Sequence, residues 1–90
     1  MPRFLVERSL GEIGDDDLRA VADASGEMRE RDYPEIAWER SHVVRTADGL
    51  MAMCVYAAPD PEVIRAYSVK AGLPVDAIHE IHMDLVPEDG

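Results

Sequence analysis

The chain has 90 residues, enough for one domain with a single core, and its 47% hydrophobic content is that of a globular protein rather than a disordered one. Nineteen acidic residues against nine basic ones leave a net charge of −10, spread along the whole length. A field of that sign repels phosphate backbones and anionic lipid, so no nucleic acid and no membrane partner is expected, whereas metal ions are compatible with it.

Residues 3–9 alternate as a first strand, with Phe4 and Val6 on one face and Leu5 and Glu7 on the other. The start lacks the charged and apolar segments of a signal peptide, and no apolar run approaches the ~20 residues of a membrane span. After a loop through Gly11 and Gly14, Asp15-Asp16-Asp17 reads as an N-cap with charge that the helix dipole favours. The helix that follows carries a stripe of Leu18, Val21, Ala22, Ser25 and Met28 and ends before Asp32-Tyr33-Pro34. A second strand over residues 36–46 turns at Ala47-Asp48-Gly49 into a third over 50–57, apolar on both faces and therefore central. Pro59-Asp60-Pro61 opens a second helix whose buried stripe is Val63, Ile64, Tyr67 and Ala71, stopped by Gly72 and Pro74. Residues 78–86 form a last strand and 87–90 a tail.

The order β-α-β-β-α-β predicts a single α+β domain over residues 1–90 of ferredoxin-like type, a four-stranded antiparallel sheet with two helices on one face. Leu18-Arg19-Ala20 precedes Gly26 by the same spacing as Ile64-Arg65-Ala66 precedes Gly72, as two copies of one βαβ unit would. The sheet face without helices needs a cover. Leu50, Ala52, Cys54 and Tyr56 on one side of the third strand and Met51, Met53, Val55 and Ala57 on the other are both too apolar for water. A homodimer joined through the open face, in the manner of a dimeric α/β barrel, is expected.

The stretch Cys54-Val55-Tyr56-Ala57-Ala58-Pro59, the helix after it, and Ala71-Gly72-Leu73-Pro74-Val75-Asp76-Ala77-Ile78 resemble a known family. With Phe4-Leu5-Val6-Glu7-Arg8 and the segment from Trp38 to Ser41, the resemblance covers nearly the whole chain. It is to the small bacterial ferredoxin-like domains typified by a nickel-binding protein, most of which have no assigned function. The resemblance implies a compact dimer that holds a divalent metal such as nickel in some members, and it carries over one ligand position, His79. The chain departs from the histidine-rich pattern of the nickel-binding type, with Glu7 and Arg8 on the first strand and no histidine from Ser68 to Leu73.

Three histidines, His42, His79 and His82, are the candidate metal ligands. His79 and His82 stand three apart on a strand and point to opposite faces, so regular geometry does not let them chelate one ion together. A second set contains Glu7, Arg8, Trp38, Glu39, Arg40, His42 and Tyr56. Trp38, Arg40 and His42 alternate onto one face of the second strand, and Glu7, Trp38 and Tyr56 suit a small polar-aromatic ligand. His42 as general base with Arg40 would serve a cofactor-independent enzyme of monooxygenase, isomerase or cyclase type. Cys54, the single cysteine, sits in a central strand as a small hydrophobe and fits a reducing cytoplasm. The expected function is that of a small cytoplasmic metal- or ligand-binding protein, with the enzyme as the alternative.

Overall fold

The computed structural model describes residues 1–88. Residues 89 and 90, the end of the expected tail, lie outside them. The elements run β1 (Arg3–Gly11), α1 (Asp15–Asp32), β2 (Ala37–Thr46), β3 (Gly49–Ala57), α2 (Pro61–Ala71) and β4 (Ala77–Glu80). The sheet order is β2-β3-β1-β4 and every pairing is antiparallel. This is the ferredoxin-like α+β fold, with both helices over one sheet face. Among the described residues no helix is long and apolar enough to cross a membrane.

The core lies between that face and α2. Phe4 and Val6 of β1, Ala52, Cys54 and Tyr56 of β3, and Ile64 and Tyr67 of α2 are all buried there. Cys54 is free and buried, as expected of a small hydrophobe. Asp60 caps α2 by accepting from the Val63 amide at 2.9 Å, and Pro61 follows at the first helical position. Gly72 ends the helix at φ 70°, a left-handed conformation in which its N–H reaches back to the Ser68 and Val69 carbonyls. The β2–β3 hairpin turns over Ala47 and Asp48, with Thr46 opposite Gly49.

Four expectations are corrected. The cap residue of α1 is Gly14, with no side-chain cap, so Asp15, Asp16 and Asp17 occupy the first turn and act only through charge. Along α1 the stripe residues Leu18, Ala22, Ser25 and Met28 turn inward but are only half-buried, Val21 is exposed, and the most buried residue is Arg29. Ile36, expected to open the second strand, precedes β2 as a buried core residue.

The last strand stops at Glu80 rather than running to Val86. Among the described residues its one neighbour is β1, whose first residue Arg3 offers its carbonyl to the Ile81 N–H at 2.8 Å. Beyond Ile81, β1 has no further strand residue to pair with. His82 therefore lies outside the sheet and exposed.

Glu39 holds an irregularity in β2. Trp38 pairs with Tyr56 and Arg40 with Val55, so Glu39 is one residue in excess, a β-bulge. Its carboxylate accepts two bonds from Arg3, Nε to Oε2 at 2.8 Å and Nη2 to Oε1 at 2.9 Å, while Arg3 Nη1 reaches Asp84 at 2.6 Å. The Arg3 guanidinium holds the Glu39 carboxyl below the usual carboxylate range. A depressed folded-state pKa contributes stability that is complete above the unfolded value near 4.3 and is lost as pH falls through the folded one. Glu39→Gln should therefore lower Tm at neutral pH and converge on the wild type in acid. Melting followed by circular dichroism from pH 7 down to 3 checks this, and a difference that grows in acid would contradict it.

Candidate functional site

Register decides which side chains meet. Phe4, Val6 and Arg8 of β1 face the helices together with Tyr56, Cys54 and Ala52 of β3. Leu5, Glu7 and Ser9 face the open side with Val55, Met53 and Met51. Across β2 the open face continues with Arg40 opposite Val55, His42 opposite Met53 and Val44 opposite Met51. His79 of β4 joins it opposite Leu5.

On this open face His79 Nε2 lies 2.6 Å from Glu7 Oε2. The contact is diagonal, since His79 pairs with Leu5 and Ala77 with Glu7. Both side chains remain open to solvent, at 57% and 29% relative exposure, so the pair is reachable by an ion or by a second protein surface. His42 stands beyond Met53 from Glu7, two strand spacings or about 10 Å away in the sheet. Among the described residues no group of three or more His, Cys, Asp and Glu converges as a metal cluster would require. One chain thus brings two adjoining polar side chains together, flanked by the half-buried thioethers of Met51 and Met53.

The second expected set is split between the two faces, and the bulge is the reason. Regular alternation would put Trp38 beside Arg40 and His42. The extra residue turns it over instead, onto the helix side, where its Nε1 donates to Ser41 Oγ at 2.9 Å. Tyr56 is also on the helix side and 3% exposed. Glu7, Arg40 and His42 are therefore separated by the sheet from Trp38 and Tyr56. The acid–base arrangement expected of His42 and Arg40 with an aromatic ligand pocket is not assembled.

What the helix side does contain is a cleft of about 630 Å³ between α1 and the sheet. Arg8 is 2% exposed in its wall. Its Nη1 donates to Ser68 Oγ at 3.1 Å and to the Pro74 carbonyl at 2.9 Å, and its Nη2 to Tyr56 Oη at 3.2 Å. Burial pushes the Tyr56 phenol above its ordinary range, so at neutral pH it remains a neutral hydroxyl. Arg29 of α1 packs over the rings of Trp38 and Tyr67, at 5.5 and 5.9 Å from their centroids. Arg29 was not among the residues singled out from sequence, although it continues the α1 stripe four residues after Ser25.

A family model described as nickel responsive protein SCO4226-like matches residues 4–81. Among solved structures, the crystal structure of SCO4226 from Streptomyces coelicolor A3(2) superposes with a TM-score of 0.75 at 19% identity, over 92% of this chain and 99% of that one. At that identity the likeness is one of fold. No curated protein sequence matches the chain.

Proposed function

The chain belongs to the SCO4226-like family of nickel-responsive proteins, and on that premise we propose that it is a homodimer that binds a divalent metal, nickel by preference, on its open sheet face. The Glu7–His79 pair carries the reading. An imidazole nitrogen and a carboxylate oxygen hydrogen-bonded at 2.6 Å become a pair of donors for a borderline cation such as nickel once the cation displaces the proton between them. Two donors from one chain are too few. An isologous dimer brings the same patch from each copy and doubles the set.

Other features support association through this face. Half-buried Leu5, Met51 and Met53 line its middle around the buried Val55, and Val44 is 40% exposed at its side, an apolar surface poorly suited to water. The net charge of −10 favours a cation over an anion as the thing that joins two copies. We assign the protein to the reducing cytoplasm on the ground of its single, free cysteine.

The test is titration of untagged, metal-free protein with nickel by calorimetry, with mass in solution followed by sedimentation. Saturable binding by a dimer is expected. His79→Ala and Glu7→Ala should each weaken it by more than the roughly 10–100-fold that follows loss of an outer-shell partner. Failure to bind nickel, cobalt, copper or zinc, or binding unchanged in His79→Ala, would reject the proposal.

A further inference from the structure

The helix-side cleft holds a charge that the rest of the chain does not answer. Arg8 is 98% shielded from solvent, and among the described residues no carboxylate contacts it. In a protein with ten more acids than bases that is unexpected, because a buried guanidinium is normally paired. Its Nε has no hydrogen-bond partner at all. Arg29, 9% exposed, makes one long side-chain hydrogen bond among the described residues, Nη1 to Tyr67 Oη at 3.5 Å, which leaves most of its five donors open toward the cleft and solvent. The two guanidinium groups hang on the hydroxyls of Tyr56 and Tyr67, whose rings pack edge to face 6.1 Å apart.

We propose that the cleft between α1 and the sheet binds a small organic monocarboxylate with a flat, apolar body, its carboxylate held by Arg29 with the buried charge of Arg8 behind it. Arg29 supplies the charge-assisted bonds, which are the strong kind, and Arg8, with no carboxylate in contact, adds its positive field to the anion site. Trp38, Tyr56 and Tyr67 supply flat walls, and Val43 and Ala52 an apolar floor. The volume is within the roughly 300–1,000 Å³ of small-molecule pockets. Asp15 and Asp16 also line the cleft, where Arg19 offsets one of them, and with the net charge of −10 they disfavour a phosphate or other polyanion. Trp38 is 43% exposed and covers Arg29, so it is the wall through which a ligand enters. This site lies on the opposite side of the sheet from Glu7 and His79 and stands independently of metal binding.

Trp38 is the single tryptophan of the chain, so its emission reports on the cleft directly. The full-length protein is titrated with benzoate, phenylacetate, benzamide and inorganic phosphate, by fluorescence and by calorimetry. A saturable response to one or both carboxylates is expected, with benzamide and phosphate weaker by on the order of tenfold or more. Arg29→Gln should weaken carboxylate binding by a similar factor, Arg29→Lys should restore part of it, and His79→Ala should leave it unchanged. Arg29→Gln is preferred to a change at Arg8, whose buried bonds also support the fold, and circular dichroism checks its folding. No saturable carboxylate binding, equal binding of benzamide or phosphate, wild-type binding by folded Arg29→Gln, or loss in His79→Ala would each overturn the proposal.

Discussion

Tyr67→Ala should lower the free energy of unfolding by about 4 kcal/mol, near the upper end for single core substitutions. Tyr67 is 1% exposed at the centre of the helix layer. Its ring meets Tyr33 at 5.9 Å and Tyr56 at 6.1 Å, both edge to face, and lies under the Arg29 guanidinium. Truncation opens a ring-sized cavity, and each aromatic pair adds roughly 0.5–1.5 kcal/mol beyond area. A domain of this size has roughly 5–15 kcal/mol in all, so the variant should be close to unfolding. Tyr67→Phe is the informative partner. It retains both ring contacts and loses one 3.5 Å contact to Arg29, so about 1 kcal/mol or less is expected. Urea unfolding of both variants separates ring from hydroxyl. A phenylalanine variant as unstable as the alanine one would place the stability in the hydroxyl and refute the packing account.

Gly49→Ala should cost about 3 kcal/mol, for two reasons that a second glycine allows to be told apart. Gly49 starts β3 at φ 113°, where L side chains are strained. A Cβ there would also lie 2.9 Å from the Gly11 carbonyl oxygen and 3.0 Å from its carbon. Those atoms are backbone, at the register shift that follows Ser9 in β1, and cannot rotate away as a side chain would. Gly11 also has positive φ, 67°, but a Cβ on it would meet nothing within 4 Å. Gly11→Ala therefore reads the dihedral alone, about 1–2 kcal/mol. Denaturant midpoints of the two variants should differ clearly, and equal losses would remove the contact with Gly11 from the explanation.

The parts of the fold legible in the sequence were those governed by neighbours in the chain. Asp60 and Pro61 start α2, Gly72 stops it, and Asp48 sits in the hairpin turn where local turn chemistry puts it. The rest depends on residues far apart. Nothing near Glu39 announces a bulge, because the group that holds it is Arg3, 36 positions away. Glu7 and His79 each read as a candidate, but their contact spans 72 positions and depends on the register of β4. The stripe on α1 had one unheeded clue. Ala22 and Ser25 are too small to fill the space toward the sheet, and both line the cleft that results.

Because Glu39 is supernumerary, β2 should respond differently to a change of length than to a change of composition. A chain lacking this residue would still set Trp38 against Tyr56 and Arg40 against Val55, now in unbroken alternation. Each face would retain its strand residues, and only Arg3 would lose a partner. A homologue shorter by one residue here is thus closer to this protein in its chemistry than a gap in an alignment suggests.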